Sequence, residues 1–224
     1  MAEPDATLAA PLFSFNKSDV VTLLAGPDEH ELIVYESCIT RNSDFFRAAM
    51  KKEWTEGQTR TIKLPEEDCI ETLTHYLNYA YSQKLPTDRI TAVASTGFPE
   101  GTWTTLANIY VLGERMLDQS VQHAVIKELT RLPKLTCEAN KSNKSFSPNA
   151  EAISLIYDGT TAGSPARRLM VDYHVARGYE SWLGAHHHAA FVLDLAKALQ
   201  NKITSGASYS SFRSAVLAAD DYLT

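Results

Sequence analysis

The apolar positions between Asp19 and Leu85 change their spacing several times, and each change marks an element. Val20, Val21, Leu23 and Leu24 form a β-branched and leucine run that stops at Gly26-Pro27, a turn pair. The run resumes over Glu31 to Tyr35, with Leu32 and Val34 on one face. These are two short strands. A helix pair is predicted next. The Ser43 hydroxyl is placed to cap its second helix, and Phe45, Phe46, Ala49 and Met50 supply the apolar stripe. From Thr59 to Leu64 the pattern alternates, with Ile62 and Leu64 facing in and Thr61 and Lys63 facing out, until Pro65 ends the strand. Asp68, with Glu71 three residues on, makes an acidic capping box for a further helix, whose buried stripe is read as Ile70, Leu73, Leu77 and Ala80.

Residues 86–102 hold Pro86, Pro99, Gly97 and Gly101 and keep no sustained period, which reads as a long surface loop. A helix over Trp103 to Leu117 follows, with Leu106, Ile109, Tyr110, Gly113 and Met116 on one side. Asp118 interrupts it, and a second helix over Ser120 to Leu132 carries Val121, Val125, Leu129 and Leu132. Residues 134–146 are polar and read as a link. Beyond it three helices are predicted. Ser147-Pro148 opens the first, with Ile153, Ile156 and Tyr157 as its apolar members. Ser164-Pro165 repeats the device before Leu169, Tyr173 and Ala176. The third spans Ala189 to Lys202, with Val192, Leu195 and Leu199. Residues 204–224 read as a tail that either docks as a helix or stays undocked. At the other end, residues 1–17 read as a flexible segment. Within it Leu12, Phe13 and Phe15 need a surface to cover them, on their own domain or on a second copy.

The order β-β-α-α-β-α, taken with its residues, resembles the BTB/POZ domain. The features that match are Ser18-Asp19-Val20, the Ser43-x-Phe45-Phe46 helix and the acidic Glu56 before the third strand. Ile62-x-Leu64-Pro65, Tyr79-x-Tyr81 before Leu85, and the helix pair that begins at NIYVLGERML match as well. The resemblance covers residues 18–133. Two positions depart from it: Tyr35 stands where the family has a His, and Gln83 or Lys84 where it has a Gly. The stretch EAISLIYDGTTAGSPARRLMVDY is similar to the region that follows the domain in small fungal BTB proteins. The resemblance implies an α+β fold, a small mixed sheet covered by helices over residues 18–133, with an all-helical extension over 147–224.

Composition narrows the class of partner. A net charge of -6 argues against nucleic acid, whose phosphates call for a basic surface. No apolar run reaches the roughly 20 residues a membrane helix needs, and the N-terminus, with Glu3 and Asp5 and no basic residue, does not read as a signal peptide. Cys38, Cys69 and Cys137 are odd in number and widely spaced, the pattern of reduced, buried thiols in a cytoplasmic or nuclear protein.

Catalytic and metal signatures are missing: there is no GxGxxG, P-loop, GxSxG, HExxH or CxxC. On a helix, consecutive side chains of His186, His187 and His188 point about 100° apart, so they read as a solvated helix start. Glu66, Glu67 and Asp68 read as acids opposing a helix dipole, and Arg167-Arg168 as surface ion pairing. No cofactor or metal is expected. Trp54 is the residue left over, a large aromatic in the charged stretch KKEWTEGQ. In BTB adaptors of cullin-type ubiquitin ligases, a hydrophobic-x-Glu pattern supplies an apolar anchor and a carboxylate to the scaffold. Trp54, Thr55 and Glu56 fit that pattern, and interfaces concentrate energy in aromatic anchors. The resemblance therefore implies a non-enzymatic module that self-associates or docks on protein partners. The alternative is a small-molecule binder or unusual enzyme, with a pocket between the BTB domain and the C-terminal helices lined by Tyr157, Tyr173, His174, Tyr179 and Trp182.

Overall fold

The computed structural model describes residues 19–65, 69–88, 90, 101–139, 148–177, 188–205 and 218–223. The chain is mixed α+β. It divides into two compact units, Met1–Ile70 and Glu71–Thr224.

Among its described residues the first unit holds a sheet of three strands, β1 (Val20–Ala25), β2 (His30–Tyr35) and β3 (Thr61–Lys63), in the order β2-β1-β3. β1 is central because alternate residues along it, Val21, Leu23 and Ala25, are fully buried. The β1–β2 hairpin is antiparallel and turns through Gly26 at φ 73° and Glu29 at φ 48°. Its register sets Val21 against Val34 and Leu23 against Leu32, and the parallel β1–β3 pairing sets Ile62 on the other side of Leu23. One face is thus a continuous apolar row.

A parallel neighbour needs a crossover. Here it consists of three short helices, α1 (Glu36–Ile39), α2 (Asp44–Ala49) and α3 (Thr55–Thr59). Ser43 caps α2, its hydroxyl accepting from the Phe46 amide at 3.1 Å. Of the four residues expected to form the α2 stripe only Phe46 is buried; a helix of six residues turns too little of its surface inward for more. The third strand begins at Thr61, because Thr59 is the last residue of α3. Arg60 closes the crossover. It sits in the left-handed region at φ 55°, its Nε donates to the Val20 carbonyl at 2.9 Å, and its guanidinium meets Glu36 at 2.9 Å.

The second unit contains α4 (Ile70–Ser82, whose first residue belongs to the first unit), α5 (Thr102–Arg115), α6 (Gln119–Ala139), α7 (Ala150–Gly159), α8 (Pro165–Arg177) and α9 (Ala189–Thr204), with a 3-10 turn at Ala219–Tyr222. In α4 the buried residues are Leu73, Tyr76, Leu77, Tyr79 and Ala80, while Ile70 is exposed. The inward face therefore lies further round than expected, because it includes two tyrosines whose hydroxyls find partners. Tyr76 donates to Asp118 Oδ2 at 3.0 Å and Tyr79 to the Ser120 carbonyl at 3.0 Å. Asp118 also caps α6, its Oδ1 accepting from the amides of Ser120 and Val121 at 3.0 and 3.2 Å. Gly113 lets α5 approach α6 closely, since a Cβ there would stand 2.5 Å from Val121 Cγ1.

Three expectations change. α6 does not stop at Leu132. It passes through Pro133 and ends at Ala139, so residues 134–139 are helix rather than link. A proline inside a helix removes one backbone bond, and the rest of this long helix continues past it. α7 is capped by Asn149, whose Oδ1 accepts from the Ala152 amide at 2.9 Å, rather than opened by Ser147-Pro148. On α9, Val192 and Leu199 are exposed and the buried residues are Phe191 and Leu195. The apolar surface of α9 is wide enough to offer two stripes, and packing uses the one with the larger ring. Pro165 does begin α8, and Leu169, Tyr173 and Ala176 are buried.

Candidate functional site

Trp54 precedes α3 and is 59% exposed. The backbone around it is tied down. Its amide donates to the Lys51 carbonyl at 3.0 Å, and its carbonyl accepts from the Gln58 amide at 3.2 Å. Gly57 makes this turn possible, because a Cβ would lie 2.3 Å from the Lys51 carbonyl oxygen. Thr55 is exposed and Glu56, in the first turn of α3, is half-buried. The sequence KKEWTEGQ thus forms a tight turn and one helical turn instead of an open loop, and it presents an indole to solvent with a carboxylate two residues on. Leu12, Phe13 and Phe15 lie outside the described residues, as do Glu66, Glu67 and Asp68.

Tyr157, Tyr173 and His174 come together, but as packing. All three are buried. Phe191 joins them, its ring centroid 5.7 Å from Tyr157 and 5.0 Å from His174, while Trp103 approaches Tyr173 at 6.4 Å. The His174 Nδ1 donates to the Met170 carbonyl at 2.8 Å. The Tyr157 hydroxyl donates to Asp194 at 3.2 Å. Burial, reinforced by the Asp194 carboxylate, pushes the Tyr157 hydroxyl far above its ordinary range. Tyr179 and Trp182 lie outside the described residues. Among the described residues Arg167 has no partner for the surface ion pair expected of it. It lies 4.7 Å over the Tyr157 ring and donates to Tyr157 and Thr160 carbonyls, holding the last carbonyls of α7. Phe191 and Trp103 escaped the sequence reading. The spacing of Phe191 to Leu195 carried the signal for the first.

A cavity of about 290 Å³ opens elsewhere in the same unit. α5 contributes Tyr110 and Glu114, and α6 contributes Gln119, Gln122, His123 and Ile126. The turn 161–165 and Tyr222 complete it. Tyr110 and Ser164 join their hydroxyls at 3.2 Å, and Tyr222 donates to Asp172 at 2.9 Å. Burial raises both phenols above their ordinary range. These residues come from separate segments, and only the helical spacing of 110 with 114 and of 119 with 122, 123 and 126 hints that they share faces.

Among the described residues no group of three or more His, Cys, Asp or Glu could hold a metal ion. His188 caps α9, its Nδ1 accepting from the Ala190 amide at 3.2 Å while Nε2 lies 3.2 Å from Asp158; His186 and His187 are outside the described residues. Cys38 is buried, but Cys69 is exposed, contrary to the expectation of buried thiols, because it stands just ahead of α4 and faces away from its packed side. No helix among the described residues is long and apolar enough to cross a membrane. Compared with protein-family models the chain matches none, and no curated protein is similar to it in sequence.

Proposed function

We propose that this chain is a protein–protein interaction module of the BTB/POZ type, with the domain over residues 18–133 and a helical extension beyond, self-associating or serving as an adaptor for a cullin-type ubiquitin ligase in the cytoplasm or nucleus. The observation that carries the reading is Trp54. An indole that is 59% exposed, on a backbone fixed by two hydrogen bonds, is poorly explained by folding and well explained by a partner. The strand order β2-β1-β3, with a helical crossover between the parallel pair, is compatible with the fold that the resemblance implies. Trp54 would bury its ring on the scaffold, and Glu56 would accept a charge-assisted hydrogen bond there.

Two measurements on the full chain test this. Biolayer interferometry against a purified cullin-type scaffold should give saturable binding that Trp54→Ala weakens roughly 30-fold, the equivalent of about 2 kcal/mol. Light scattering should show a mass above that of one chain if self-association operates. A monomer that binds no scaffold would end the proposal.

A further inference from the structure

The cavity lined by α5, α6 and the 161–165 turn serves none of the purposes above. Its walls are set before any ligand arrives. Tyr110 and Ser164 are buried and bonded to each other, Ser164 also donates its amide to the Thr161 carbonyl at 3.2 Å, and Tyr222 is anchored on Asp172. Such preorganisation lowers the ordering cost of binding. The space, about 290 Å³, sits at the lower end of the range for small-molecule sites.

Besides the tyrosines, two ionisable side chains line it, Glu114 and His123. Glu114 is the one Asp, Glu, Lys or Arg among the lining residues. Among the described residues, no side chain forms a hydrogen bond or ion pair with its carboxylate. Burial resists ionisation of both phenols, and the Glu114 carboxylate adds to this at Tyr110 as Asp172 and Asp221 do at Tyr222. Arg168, 5.8 Å over the Tyr222 ring, opposes them, as do the hydrogen bonds of Tyr110 with Ser164 and the Ala166 backbone. Around Glu114 the lining offers what a cation with a short carbon chain uses: the amide oxygens of Gln119 and Gln122, the rings of Tyr110 and Tyr222, and the apolar Ile126.

We propose that this cavity is a binding site for a small organic cation, a primary amine of diamine size whose ammonium group pairs with the Glu114 carboxylate. The amine donates to Glu114 and to a glutamine amide oxygen, and its methylenes lie against Ile126 and the tyrosine rings.

The test is isothermal titration of the full chain at low ionic strength with 1,4-diaminobutane, and with butanoate as the anionic counterpart. The diamine should saturate one site and butanoate should not bind. Glu114→Gln should weaken the diamine about tenfold or more, as loss of a hydrogen bond to a charged group does, with an unchanged circular dichroism spectrum. Gln122→Glu, nearly isosteric, adds a second carboxylate and should tighten binding several-fold, which keeps the test decisive should the first variant misfold. Absence of saturable diamine binding, equal binding of butanoate, or an affinity that neither variant moves overturns the proposal.

Discussion

Replacing Asp118 with alanine should be among the most damaging changes to the second unit. Asp118 is only 2% exposed, and its carboxylate does two jobs. Oδ1 caps α6 through the amides of Ser120 and Val121, and Oδ2 accepts from the Tyr76 hydroxyl. Loss of a cap costs about 0.5–2 kcal/mol. The Tyr76 hydroxyl, itself fully buried, would lose that charged acceptor, and a hydrogen bond to a charged group contributes about 1.5–3 kcal/mol. The sum for Asp118→Ala is about 2–5 kcal/mol. A double-mutant cycle separates the terms. In a Tyr76→Phe background the hydroxyl is already gone, so Asp118→Ala should cost only the cap, about 1 kcal/mol, and the coupling energy should be about 1.5–3 kcal/mol. Asp118→Asn should retain most of the cap. Urea unfolding followed by far-ultraviolet circular dichroism gives all four corners of the cycle. A cost below 0.5 kcal/mol for Asp118→Ala, or a coupling near zero, would refute the claim that one side chain joins α4 to the start of α6.

Trp54→Ala should leave the unfolding free energy within about 0.5 kcal/mol of the parent, since an exposed side chain contributes little to the core; a loss of about 3–5 kcal/mol in the melt would mean that the indole packs on its own domain. In native protein a thiol reagent should label Cys69 quickly and Cys38 only as fast as the chain opens, with mass spectrometry of labelled peptides reading the two rates. Phe191→Ala should cost about 3–5 kcal/mol by thermal or urea unfolding, because a fully buried ring is removed from between Tyr157 and His174. Tyr157 and Tyr222 have folded pKa values raised above the ordinary 10.0, so the stability they lend is complete below pH 10 and is lost as pH climbs beyond it; Tyr157→Phe and Tyr222→Phe should each flatten the alkaline limb of a stability–pH curve.

The strands were legible because an apolar run, Val20 to Leu24, and a second strand with Leu32 and Val34 on one face flank a glycine turn; the register, Val21 against Val34 and Leu23 against Leu32, came only with the structure. The α5 and α6 stripes were legible for the same reason at helical period. What periodicity misreads is a residue whose polar atom must be satisfied from afar: Tyr76 and Tyr79 did not count as core until Asp118 and Ser120 were placed beside them. α9 failed differently. Leu195 is buried as expected, but Val192 and Leu199 are exposed and Phe191 takes the inward place, and nothing local ranks the one apolar neighbour above the other. Pro133 carried a valid penalty that the surrounding helix outweighed. The exposed Trp54 was visible as an oddity of composition. The cavity was not visible, because its walls meet only after α5, α6 and the 161–165 turn have packed.

The parallel placement of β3 also sets an order of events in folding. The β1–β2 hairpin closes through a short turn and needs no other part of the chain. β3 reaches β1 only after the chain from Glu36 to Arg60 has been drawn into a loop, and its reward is one short ladder over Thr22, Leu23 and Leu24. Closure entropy is therefore spent before that ladder returns anything. Arg60 acts at the end of this process, when Val20 and Glu36 are already near each other and its guanidinium can span them. Removing that side chain should hasten unfolding while hardly slowing folding, the kinetic signature of a contact that forms after the barrier has been crossed.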